Sequence, residues 1–160
     1  MKVAQQLVKE LMEKEYHISC AESCTGGKLT GAIVDVADAS RVLDASIVTY
    51  ANEAKMHYLG VKEETLRQFG AVSEETAREM AEGIARQNHA QVGLSVTGTA
   101  GPGGGTKDKP VGTVCFGFCI NGETTTVRKE FGDLGRNQVR DASVQFALEH
   151  CLEQLQLLDN

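Results

Sequence analysis

The chain has 160 residues, a size that suits one domain and leaves little room for two. Hydrophobic residues make up 41% and charged residues 24%, the usage of an ordinary globular protein rather than a disordered one. The formal net charge is -6 with no cluster of Lys or Arg, so the electrostatic footprint of a nucleic-acid binder is missing and no DNA or RNA partner is expected.

Five cysteines (Cys20, Cys24, Cys115, Cys119 and Cys151) are an odd number and too few for a disulfide framework in a domain this large. Their spacing matches no standard zinc pattern, and the four His are scattered, so neither a metal nor another cofactor is expected. The ordinary reading is small buried thiols, with Cys115 and Cys119 on one face of a strand. The opening stretch MKVAQQLVKELMEKE lacks the apolar core of a signal peptide, and no run approaches a membrane span. A cytoplasmic protein with no membrane partner is the expectation.

In chain order, Val3, Leu7, Val8, Leu11 and Met12 recur at helical spacing and predict a first helix. Tyr16 to Cys20 is short and alternating, a first strand. The turn AESCTGG follows, and then KLTGAIVDV resumes a helical rhythm. Val42 to Tyr50 reads as a second strand, with β-branched residues gathered toward its end. Asn52 is a candidate cap for a short helix through Met56, and residues 61–69 suggest another. Ser73, followed by Glu74 and Glu75, is placed to cap a longer helix ending near Asn88.

Gln91 to Val96 predicts a third strand, which leads into TGTAGPGGGTKDKP, too rich in glycine for regular structure. Gly112 to Ile120 and Glu123 to Phe131 predict two strands joined by Asn121-Gly122, the preferred dipeptide of a two-residue hairpin. Arg136 to Leu158 closes the chain as a long helix. The pattern implies a single three-layer α/β/α domain over residues 1–160, with a mixed sheet that includes a C-terminal β-hairpin.

Two glycine-rich loops each follow a predicted strand: Ser23-Cys24-Thr25-Gly26-Gly27, and Thr97-Gly98-Thr99-Ala100-Gly101 with the glycines after it. In open α/β sheets ligands gather at the carboxyl ends of strands, and such loops can cradle anions with their N–H groups. Neither loop matches the phosphate-binding or dinucleotide consensus, so a structural turn accounts for either as well as a ligand site does.

Ser23 sits at a strand-to-helix turn, where nucleophilic serines occur; a helix cap is its ordinary role, although Thr25 could take that duty. With Asn52 as cap, Lys55 falls in the first helical turn, near the positive end of the helix dipole. That position, with burial, favours a neutral amine able to take a proton from serine. A solvated lysine on a helix face is the plainer reading, and the sequence by itself favours it. Tyr50, five residues before Lys55, can share its crevice. Arg136 and Arg140 lie on one face at the start of the last helix, where an anion such as phosphate would stabilise them, unless they pair with Asp133 or Asp141. Cys24 is a rival thiol nucleophile without an evident His partner.

Taken together, AESCTGG, VTYANEAK, GVKEETLRQFGAVSEETA, GTAGPGGGTKDKPVGTV and GRNQVRDAS resemble the CinA C-terminal domain family, over roughly residues 3 to 155. Standalone members of that family include nicotinamide-nucleotide amidases, which release ammonia from nicotinamide mononucleotide without a metal. The resemblance implies a small-molecule nucleotide substrate, Ser23 as nucleophile, Lys55 as base and Tyr50 beside them. It also implies a substrate site built from Thr97, Gly98, Thr99 and Gly101, to which the loop reading adds Thr25, Gly26 and Gly27, with Arg136 and Arg140 on the phosphate. The alternative is a non-catalytic nucleotide-binding regulatory module. A homodimer or higher homo-oligomer is expected.

Overall fold

The computed structural model describes residues 2–159; Met1 and Asn160, the ends of the expected domain, lie outside the described residues. The elements in order are α1 (Val3–Lys14), β1 (Ile18–Glu22), α2 (Lys28–Val34), β2 (Leu43–Val48), α3 (Asn52–Leu59), α4 (Glu63–Phe69), α5 (Glu74–Asn88), β3 (Val92–Gly98), β4 (Thr113–Ile120), β5 (Glu123–Glu130) and α6 (Arg136–Leu157). A single 3-10 turn, Ala39–Arg41, precedes β2.

The five strands form one mixed sheet in the order β2-β1-β3-β4-β5. β1 is parallel to both β2 and β3, while β3, β4 and β5 run antiparallel in sequence. Helices α1, α2 and α6 cover one face, and α3, α4 and α5 cover the other, which gives the three expected layers.

Side-chain alternation assigns the faces. On the α6 side the core takes Ile18 and Cys20, then Leu94 and Val96, then Phe116 and Phe118, packed against Leu7, Leu11, Val139 and Leu148. On the α5 side the same strands present Gly93, Ser95 and Gly117, so α5 lies directly on the sheet. A Cβ at Gly93 would sit 2.2 Å from the Ala81 carbonyl oxygen, and one at Gly117 would sit 2.4 Å from that of Ala77. Ser95 Oγ donates to the Ala77 oxygen at 2.6 Å, an ordinary hydrogen bond that secures the contact.

Several expected boundaries move. β1 runs two residues past Cys20 to take in Ala21 and Glu22, because the Glu22 carboxylate is satisfied inside the protein and does not end the strand. β3 continues through Thr97 and Gly98, which pair with Cys115 and Val114 of β4. Ser73 caps α5 as expected, its side chain accepting from the Thr76 N–H. The Asn52 cap is incorrect: Ala51 occupies that position in extended conformation, and Asn52 is the first helical residue. All five cysteines are buried as free thiols. Among the described residues no helix is long and apolar enough to cross a membrane.

Candidate active site

The parallel strands β1, β2 and β3 deliver their carboxyl ends to one edge of the sheet. The chain leaves β1 toward β2 on one side, while β3 lies on the other, so a crevice opens where the connections diverge. Into it come Ser23 after β1, Tyr50 after β2, and Thr97 and Gly98 at the end of β3. They line a cavity of about 200 Å³ with Cys24, Lys55, Ala71, Val72, Ala100 and Arg136.

Lys55 is 1% exposed, so it is not a solvated lysine on a helix face. Its Nζ lies 3.0 Å from Ser23 Oγ, 2.8 Å from the Thr49 carbonyl oxygen and 3.1 Å from that of Tyr50. Burial pushes its ammonium down from 10.5 to about 8, against a smaller opposing pull from Cys24. The helix end is not the main cause, since Lys55 is the fourth helical residue and its own N–H already bonds to the Ala51 carbonyl. A neutral lysine amine has two hydrogens, and two carbonyls stand ready to take them. The remaining lone pair then faces the Ser23 hydroxyl. This arrangement can draw a proton from serine.

The turn after β1 is held from both sides. Ser23 donates its N–H to the Val96 carbonyl at 2.9 Å, which ties the start of the turn to β3. Glu22, fully buried, points away from the cavity into the start of α2. Its Oε1 accepts from Thr25 Oγ1 (2.6 Å), Gly27 N (3.2 Å) and Leu29 N (2.9 Å), and its Oε2 from Thr30 N (2.9 Å) and Thr30 Oγ1 (2.6 Å). Thr25 therefore does not cap α2: its hydroxyl is spent on Glu22, and Gly27 holds the cap position without a side-chain bond. Arg140 approaches from α6, donating through Nε to the Cys24 carbonyl (2.9 Å) and through Nη2 to that of Thr25 (3.1 Å).

These contacts rearrange the expected substrate site. Ser23, Tyr50, Lys55, Thr97, Gly98 and Arg136 come together on the cavity wall. Thr25, Gly26, Gly27, Thr99, Gly101 and Arg140 do not line it. Arg140 is committed to the loop's carbonyls and to Asn137, while Asp141, its suggested partner, pairs with Lys28 at 2.8 Å. Arg136 donates to the Gly101 carbonyl at 2.7 Å and to the Tyr50 hydroxyl at 3.1 Å, so it bridges the second loop and the end of β2. The N–H groups of Gly26 and Gly27 are already bonded, to the Ser23 carbonyl and to Glu22. Among the described residues that of Thr25 makes no hydrogen bond, and that of Cys24 meets only its own thiol.

Burial pushes the Cys24 thiol up to about 11, which keeps it protonated and poorly nucleophilic at neutral pH. No histidine lines the cavity beside it. Three wall residues escaped the sequence reading: Ala71 and Val72, from the link between α4 and α5, and Ala100. Thr97 Oγ1 donates to the Ala71 carbonyl at 2.9 Å and so fixes that link against β3. Small apolar residues in a connection carry no local signal of this. Glu22 was missed for a similar reason, since most of its donors are backbone groups.

The CinA C-terminal domain model matches residues 1–155. A CinA-like protein of Kosmotoga olearia is 50% identical over 146 residues, covering 91% of this chain and 35% of that protein. The chain spans about a third of the length of the curated relatives it matches. Among solved structures, the competence/damage inducible protein CihA of Agrobacterium tumefaciens superposes with a TM-score of 0.92 at 42% identity, over 96% of this chain and 93% of that one. A competence-damaged protein (CinA) superfamily protein of Escherichia coli gives 0.92 at 36% identity, over 95% and 88%. With the family model matched over residues 1–155 and nearly the whole chain superposed on its neighbours, this protein belongs to the CinA C-terminal domain family.

Proposed function

We propose that this chain is a metal-independent serine amidohydrolase that cleaves the carboxamide of nicotinamide mononucleotide, with Ser23 as nucleophile and Lys55 as base. The observation that carries the chemistry is the buried Lys55 amine, 3.0 Å from Ser23 Oγ and backed by two carbonyl acceptors. The choice of substrate rests on the resemblance to the nicotinamide-nucleotide amidases of the family. The cavity suits it: a space of about 200 Å³ walled by Ala71, Val72 and Ala100 fits a flat pyridine carboxamide rather than a whole nucleotide. Ribose and phosphate would remain at the mouth, near Arg136 and the half-exposed Tyr50.

In the reaction, neutral Lys55 takes the Ser23 proton while Oγ attacks the carboxamide carbon. The oxyanion faces the N–H of Cys24, the residue after the nucleophile and itself on the cavity wall; a donor of this kind is worth roughly 10²–10³ in turnover. The C–N bond then breaks, and the Lys55 ammonium gives its proton to the departing nitrogen, which leaves as ammonia. Water attacks the acyl ester, Lys55 accepts its proton and returns it to Ser23, and nicotinate mononucleotide is released.

The test is ammonia release from nicotinamide mononucleotide by the wild type and by Ser23→Ala, with no metal added. The variant is expected to lose at least about 10³-fold in turnover while staying folded. Equal release by both would contradict the nucleophile. No release by the folded wild type would favour a nucleotide-binding regulatory module.

A further inference from the structure

The Glu22 carboxylate has no cation beside it among the ion pairs of the described residues, yet it is fully buried. A buried charge is costly unless hydrogen bonds satisfy it. Here five donors do, and they span Thr25 to Thr30, from the middle of the turn to the first turn of α2. A Ser or Asp at position 27 would cap so short a helix locally, without burying a charge. A glutamate on the preceding strand does something a local cap cannot. It locks the start of α2 to the strand end that carries the adjacent residue, Ser23.

Successive residues at the end of a strand point to opposite sides. With Glu22 held in the α2 side, Ser23 is turned the other way, toward Lys55. The carboxylate takes N–H and hydroxyl groups of the turn, while Arg140 takes the carbonyls of Cys24 and Thr25. The turn is thus gripped by groups of opposite charge acting on opposite ends of its peptide dipoles. Neither Glu22 nor Arg140 lines the cavity.

We infer that Glu22 is the positioning residue of the nucleophile: its buried carboxylate, by gathering five donors from the turn and from α2, fixes Ser23 Oγ at hydrogen-bonding distance from Lys55. This rests on the serine–lysine reading given above. Replacing the carboxylate with an amide of the same shape turns one oxygen into a donor that must face other donors, so the turn shifts. A displacement of about 1 Å at a reacting group can cost 10²-fold in rate.

The experiment compares the wild type with Glu22→Gln in two assays: kcat and KM for nicotinamide mononucleotide, and the rate at which a small fluorophosphonate labels Ser23, read by intact mass. Circular dichroism and thermal melting confirm the fold. The expectation is a folded variant with kcat lowered about 10²-fold, KM within about threefold, and labelling slowed in step with kcat. A merely structural cap would lower the melting temperature and leave both rates of the folded protein unchanged. A folded Glu22→Gln whose labelling and kcat stay within threefold of the wild type overturns the inference. Should Glu22→Gln fail to fold, Thr30→Val removes one of the five donors and is expected to slow labelling by about three- to tenfold; unchanged labelling in that variant overturns it as well. A wild type that neither labels at Ser23 nor releases ammonia would instead defeat the serine–lysine reading, and this inference with it.

Discussion

The loop at residues 23–27 and the loop at 99–112 both follow a central strand, both are rich in glycine and both border the cavity, yet they are built in opposite ways. In the first, Ser23, Cys24 and Thr25 are buried, and seven hydrogen bonds from or to two charged side chains hold Cys24, Thr25 and Gly27 and the helix start behind them. In the second, residues 102–108 are exposed and the base is pinned by Thr99 N–H on the Thr113 carbonyl, Gly112 N–H on the Thr99 carbonyl, and Arg136 on Gly101. Farther out, Arg128 holds the Asp108 carbonyl and Lys109 holds that of Phe69. Glycine content therefore says little about rigidity. The loop that carries Ser23 is fixed through its backbone by buried charge, while the other supplies a wall from its base and leaves its tip to solvent.

The largest effect expected from this contrast is at the partner of the rigid loop. Lys55→Met keeps the volume and removes the amine; turnover should fall by at least about 10³-fold with the fold retained, as measured by ammonia release and circular dichroism. Substantial activity in that variant would leave the rigidity of the first loop without a catalytic purpose. A smaller effect is expected at Gly26, whose φ is +56° and whose added Cβ would lie 3.3 Å from Arg140 Nη2. Gly26→Ala should cost about 1 kcal/mol in chemical denaturation and slow turnover several-fold. The smallest effect belongs to the tip of the second loop. A Cβ at Gly103 meets nothing within 4 Å, so Gly103→Ala should change stability by less than about 0.5 kcal/mol and leave kcat within twofold. Equal effects at the two glycines would erase the contrast.

How far this could be read in the chain follows from what kind of contact each feature needs. The helices and the hairpin announced themselves through local periodicity and turn chemistry: Ser73 caps α5, and Asn121-Gly122 joins β4 to β5. Ser23, Tyr50, Lys55, Thr97, Gly98 and Arg136 were all singled out, and all meet at the cavity. What stayed hidden depends on partners remote in sequence or on backbone groups. Arg140 sat beside Arg136 on the same helical face, so spacing offered no reason to separate them; only the position of the Cys24 and Thr25 carbonyls, more than a hundred residues away, commits one and leaves the other at the mouth. Asn52 looked like a cap by residue type, but the extended Ala51 holds that place. Glu22 read only as part of the turn after the first strand, since five donors drawn mostly from the main chain leave no side-chain pattern.

The claim at the centre of this account is that Lys55 acts as a neutral base poised near neutrality, and the pH dependence of kcat/KM for nicotinamide mononucleotide tests it most directly. Burial lowers the Lys55 pKa to about 8, so the active, unprotonated form is the minority below that pH and dominates above it. The rate should therefore climb with pH, close to tenfold per unit well below 8, and level off above it. A profile that is flat from pH 6 to 9, or that keeps climbing to the ordinary lysine pKa of 10.5, would contradict the assignment.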